Sequence, residues 1–162
     1  MRRTTREERQ AHRELRAGNA ALARGRWAEA VEHLQAALSL DSSSYLAQVN
    51  LGMAFFRLEE YPAAVRALTQ ATVLNPQRPQ AWLNLAAAEA ALGNLERSRE
   101  ILEQLAAQHP AHPDLHYNLA AVHLRRGDRL AALAELETEL SHRPRHRLAG
   151  ELVRQLRDKP AS

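Results

Sequence analysis

The chain has 162 residues, room for one ordinary domain or for about four and a half short repeat units. It holds no cysteine, which excludes disulfides, thiolate metal sites and a catalytic thiol, and its aromatics amount to only 4%, so alanine and leucine carry an apolar content suited to close-packed helices and unsuited to a sheet. The net charge of +3 is unevenly spread: residues 1–26 carry eight arginines against three glutamates, residues 141–162 carry six basic against two acidic side chains, and the stretch between them is acidic.

Residues 1–5 show no periodicity and are expected to be frayed. The arginine-rich opening from Met1 to Arg13 has no apolar run, so the expectation is a cytoplasmic chain with neither secretory signal nor membrane anchor. A helix is predicted from about Arg6 to Ala23, with Leu15, Gly18 and Leu22 turned inward. Gly25 marks its break and Trp27 opens a second helix, in which Ala30, Val31, Leu34, Ala37 and Leu38 form an apolar stripe at three-and-four spacing. Asp41-Ser42-Ser43-Ser44 then supplies turn formers and an N-cap.

The next helix presents Ala47, Leu51, Ala54, Phe55 and Leu58 to a core. Its mate starts near Tyr61-Pro62, where the first turn tolerates proline, and presents Ala64, Val65, Leu68 and Ala71. Glu59 stands where the other turns have Gly25, Gly93 and Gly127, so this turn either avoids a left-handed conformation or carries modest strain. Pro79 and Pro113 open two further helix pairs, and Pro76, Pro110 and Pro144 punctuate what precedes them. From Arg145 to Lys159 a single amphipathic helix carries Leu148, Leu152, Val153 and Leu156 on one face. A lone helix here covers the stacking face that the last pair would otherwise leave open.

Shifted by 34 residues, the chain falls on itself. Asn50, Asn84 and Asn118 coincide, as do Leu51, Leu85 and Leu119; Leu34, Leu68, Leu102 and Leu136; and Pro76, Pro110 and Pro144. A fixed period of this length, split by a turn, is the mark of a helix-turn-helix array that stacks into a solenoid. The expected organisation is a single domain over residues 1–162, with repeats at about 11–44, 45–78, 79–112 and 113–144 and a capping helix at 145–158.

These units resemble tetratricopeptide repeats. The small residues Gly18, Gly52, Ala86 and Ala120 fall at one position of that family's pattern, Ala30, Ala64, Ser98 and Ala132 at another, and Trp82 at the large residue near the start of the unit. Ala17, Glu89, Leu105, His123, Arg129 and Glu139 depart from it. The resemblance implies an all-α, right-handed solenoid of four helix-turn-helix repeats with a C-terminal capping helix, and a concave groove lined by the first helix of each repeat.

Carried onto this chain, the groove positions give Asn19, Val49, Asn50, Met53, Phe56, Arg57, Leu83, Asn84, Ala87, Tyr117, Asn118 and Arg125 as the expected peptide-binding residues. Asn50, Asn84 and Asn118 would form a ladder of amides, each able to donate to and accept from an extended peptide's backbone. The alternative is that these amides bond their own neighbours. Family members that clamp a terminal carboxylate use cations where this chain has Leu15, Gln80 and Asn84, which argues against recognition of a chaperone tail.

The resulting expectation is a scaffold or adaptor that binds a protein or peptide partner, extended or helical, in the groove. Self-association into a homo-oligomer through the groove or the terminal helices is the competing reading. Nucleic-acid binding rests only on the basic ends and is opposed by the acidic middle. No catalytic constellation, cofactor motif or phosphate loop is present. His109, His112 and His116 lie close together in sequence, but His116 and His123 fall on core-facing positions, so the histidines are read as structural and no metal is expected.

Overall fold

The computed structural model of the chain describes residues 5–158. The nine helices among them are α1 (Thr5–Ala23), α2 (Trp27–Leu40), α3 (Tyr45–Arg57), α4 (Tyr61–Leu74), α5 (Pro79–Leu92), α6 (Leu95–Gln108), α7 (Leu115–Arg125), α8 (Arg129–His142) and α9 (Arg147–Asp158). No helix among the described residues is long and apolar enough to cross a membrane. The frayed start expected for residues 1–5 lies outside the described residues, except for Thr5, with which α1 begins.

The chain divides at Leu92/Gly93 into two compact units, the first built on α1–α5 and the second on α6–α9. In the first unit α1 packs on α2, α3 on α4, and α4 on α5, while α1, α3 and α5 follow one another as successive neighbours. The core runs through Ala21, Ala30, Leu34, Ala47, Leu51, Ala54 and Ala67, with Leu15, Leu22, Val31, Leu38 and Phe55 around it. Small residues dominate because the paired helices approach closely. A Cβ on Gly18 would sit 2.7 Å from Leu34 Cγ, and one on Gly52 only 2.4 Å from Leu68 Cγ, so hydrogen is the largest substituent either place admits.

In the second unit α7 packs on α8, α6 on α7, and α8 on α9. Ala120, Ala132 and Leu136 meet Ala149 and Val153 of α9, and Leu152 and Leu156 close over them. The final helix therefore covers apolar surface of α7 and α8, as its amphipathic pattern requires. Its N-terminus is fixed by His146, whose Nδ1 accepts the Ala149 backbone N–H at 3.2 Å while its ring stacks on Tyr117 with centroids 5.1 Å apart.

Local chemistry sets the helix ends. Ser44 caps α3 by accepting the Ala47 N–H, and Asp128 caps α8 by accepting that of Ala131. Gly25, Gly93 and Gly127 hold the turns with positive φ, and Glu59 adopts the same left-handed conformation at φ 61. Of the two alternatives open for that turn, the strained one is realised. Glu59→Gly is therefore expected to raise stability by up to about 1 kcal/mol, the relief of a left-handed L-residue less the entropy cost of glycine; an unchanged or lowered urea midpoint would contradict this.

A candidate peptide-binding site on the first helices

Within the first unit, α1, α3 and α5 run side by side and carry nine of the residues expected to bind: Asn19, Val49, Asn50, Met53, Phe56, Arg57, Leu83, Asn84 and Ala87. Five of these converge. Met53, Phe56, Arg57, Asn84 and Ala87 line a pocket of about 190 Å³ with Gly52 and Leu68. Spacing explains the convergence: positions 53, 56 and 57 lie on one arc of α3, and 84 and 87 on the facing arc of α5.

The pocket is apolar apart from two groups. Arg57 lies with its guanidinium 5.7 Å from the centre of the Trp27 ring, and no carboxylate pairs with it among the described residues. A cation–π contact of this length holds the guanidinium near the indole and leaves N–H groups available to an anion. Asn84 accepts the Gln80 Nε2–H on its Oδ1 at 3.1 Å, but its Nδ2 is shielded from water and has no acceptor. Leaving such a donor unmet costs about 1–3 kcal/mol. Turning both amides over would exchange a missing acceptor for a missing donor and would not repair the deficit.

The asparagine ladder takes a different form from the one expected. Asn50 Nδ2 donates to Asn19 Oδ1 at 2.6 Å, joining α3 to α1, whereas Asn84 bonds within α5. Asn118 lies half-buried on α7 of the second unit. Asn19, half-buried, is thus the hydrogen-bond acceptor that positions Asn50.

Two of the residues expected to line the groove are corrected. Val49 is buried at 3% exposure and packs with Ala71, Ala81 and Tyr45; Leu83 is buried at 9%. α3 packs on α1, α2, α4 and α5, and α5 on both α3 and α4, so their buried arcs are wider than that of a surface helix and the edges of the expected groove arc become core. Tyr117 is likewise engaged, stacked on His146 and packed on the core of its unit, and Arg125 is exposed on α7.

Gly52 and Leu68, which the repeat pattern assigns to packing, also line the pocket. The signal was present in the pairing of a glycine with a leucine across α3 and α4: without a Cβ at position 52, the floor of the pocket is Leu68 itself.

Four of the histidines, His33, His112, His116 and His146, make side-chain hydrogen bonds. His116 places Nδ1 2.7 Å from Glu135 Oε2 and Nε2 2.9 Å from the Pro110 carbonyl. Asp114, Glu139 and His146 also bring ligand-type atoms within 4.8 Å of one another. The Arg143 guanidinium reaches into that group, 2.5 Å from Asp114 and 3.3 Å from Glu139, and supplies its positive charge. Partial burial pushes the Asp114 carboxyl up, but the bonds from Arg143 and His146 outweigh this and hold it below the usual aspartate range.

A family model described as tetratricopeptide repeat matches residues 15–65, 49–113 and 89–146 of the chain. Among curated proteins no sequence relative matches it. Among solved structures, the chain is similar to the crystal structure of MamA protein, with 18% identity, a TM-score of 0.79, and coverage of 91% of this chain and 80% of that one. It is similar also to YrrB, described as a TPR protein with an unusual peptide-binding site, with 24% identity, a TM-score of 0.81 and coverage of 89% and 74%. A third likeness is to the second TPR domain of the human RPAP3 protein in complex with the HSP70 peptide SGPTIEEVD, with 23% identity, a TM-score of 0.68 and coverage of 72% and 97%. At these identities the likeness is one of fold.

Proposed function

Because this chain belongs to the tetratricopeptide repeat family, we propose that it is a protein-interaction module whose ligand is an extended peptide segment of a partner, laid across α1, α3 and α5 of the first unit. The observation that carries this reading is the convergence of Met53, Phe56, Arg57, Asn84 and Ala87 on one open pocket, beside the Asn19–Asn50 amide pair. Exposed apolar surface with an unmet amide donor and an unpaired cation is a surface prepared for contact and not for solvent. Two of the structural likenesses, YrrB and the RPAP3 domain, are described with a peptide-binding site or a bound peptide, which supports the same use of the fold here.

An extended peptide suits the site better than a helix does. The groups on offer are amides, which pair with a main chain whose own N–H and C=O groups are free, and a helix has none free along its length.

The test is affinity capture with wild type beside a chain carrying Asn50→Ala and Asn84→Ala. Partners retained by wild type are expected to be lost from the variant, with affinity reduced by about tenfold or more. Melting should fall only slightly, since one inter-helix hydrogen bond, worth about 0.5–1.5 kcal/mol, is removed with Asn50. Equal capture by both chains would reject the site.

A further inference from the structure

The pocket's size and its two polar groups say more about the ligand than that it is a peptide. We propose that the pocket seats one phenyl or branched aliphatic side chain of the bound peptide, and that Arg57 takes a carboxylate belonging to a residue within about two positions of that anchor. The Asn84 amide turns to donate to the peptide carbonyl beside the anchor. This inference rests on the peptide-binding reading above and specifies what is bound.

The volume is the first reason. An engineered apolar cavity of about 150 Å³ admits benzene; the space here is about 190 Å³, walled by Met53, Phe56 and Ala87 over a floor of Leu68 and the bare Cα of Gly52. A lysine or arginine entering it would place its charge beside Arg57, so the occupant is apolar. Met53 is exposed and unbranched, and it adjusts to either a planar ring or a branched side chain.

Asn84 supplies the second reason. Its Nδ2 is covered in the present conformation, yet the amide torsion is soft, and rotation toward the pocket exchanges an unmet donor for a hydrogen bond if an acceptor arrives there. An apolar side chain seated in the pocket brings its own backbone carbonyl to the rim. Arg57 is the third. Its guanidinium is held near the Trp27 ring, it is unpaired by any carboxylate among the described residues, and it lines the same pocket. A bidentate carboxylate matches a guanidinium in geometry and charge.

The experiment pans a random-heptapeptide display library on the full chain and measures the enriched peptides by fluorescence polarisation. Enrichment of Phe, Leu or Ile close to Asp, Glu or a free C-terminus is expected. Changing the anchor to alanine should weaken binding about tenfold. Ala87→Leu, which fills the pocket from the exposed side of α5, should weaken the parent peptide to a similar extent while melting stays unchanged. Arg57→Gln should remove the preference for the acid. An amidated peptide that binds as well as the free acid places the carboxylate on a side chain; one that does not places it at the C-terminus.

Peptides that lose affinity with Asn19→Ala or Asn50→Ala, yet are indifferent to both the anchor change and Ala87→Leu, would overturn the anchor assignment and leave the binding face standing. Peptides indifferent to all of these variants, or no enrichment at all, would remove both. A concentration-dependent dimer that Ala87→Leu dissociates would put a second copy of the chain in the pocket and also overturn the proposal.

Discussion

Replacing Leu34 by alanine is expected to destabilise the first unit by about 2–5 kcal/mol. Leu34 is fully buried on α2, and the other buried members of its cluster are alanines, Ala21, Ala30, Ala47, Ala54 and Ala67, together with Leu51, while Leu15, Leu22, Val31, Leu38 and Phe55 pack around them. The alanines are too short to move into the space it vacates, so part of the cavity term is retained. The cost should appear in the urea transition followed by tryptophan fluorescence, because both tryptophans, Trp27 and Trp82, lie in the first unit.

Gly18 sharpens the test. Gly18→Ala alone forces a Cβ to within 2.7 Å of Leu34 Cγ and should cost about 1–3 kcal/mol, the usual penalty of overpacking. In the Leu34→Ala background that clash is gone and the new methyl enters the vacated space. The double variant should then be more stable than the two single effects added together, by about 1 kcal/mol or more. Strict additivity would mean that the glycine is not there to admit the leucine.

The second large effect is expected at Glu139. Its side chain is 2% exposed, unlike Arg143 and Asp114 around it, and it accepts the Asp114 backbone N–H at 3.3 Å beside the Arg143 guanidinium. Asp114 sits in the left-handed conformation at φ 63, so the loop before α7 is held by what it bonds to and not by its own preference. Glu139→Ala strands that N–H, leaves Arg143 with Asp114 alone, and opens a cavity against α8.

A loss of about 2–4 kcal/mol follows, below the full cost of breaking a buried pair because Arg143 and Asp114 are partly in water. Glu139→Gln keeps an acceptor for the Asp114 N–H and should lose less than half as much. The measurement is urea unfolding followed by far-UV circular dichroism. A change under about 0.5 kcal/mol in Glu139→Ala, the range of an ordinary surface substitution, would contradict this role.

Much of this was written in the residue order. The 34-residue period, the punctuation at Gly25, Gly93 and Gly127, the Ser44 cap and the proline positions gave the helices to within a residue or two, because each of these depends on backbone preferences that act over a few residues. The same register put Met53, Phe56, Arg57, Asn84 and Ala87 on facing arcs, so the candidate site was legible as a set of neighbours. Glu59 left two backbone conformations open, and Glu139 stood out only as a departure from the repeat pattern. Its partner, the Asp114 N–H, is 25 residues away in sequence.

What only the tertiary structure decided was how each of those residues spends its polar groups and its surface. Periodicity assigns a residue to a face, but the width of the buried arc is set by how many neighbours a helix has, and that consigned Val49 and Leu83 to the core. Hydrogen bonds between side chains depend on axial offset and rotamer, which no spacing rule contains: Asn50 reaches Asn19, Asn84 reaches Gln80 and keeps a donor unmet, and Tyr117 is taken up by His146. Local sequence fixes the helices and their phase because those energies are local; it leaves the pocket to packing, where the absence of one Cβ at Gly52 and the position of Leu68 beneath it settle the floor.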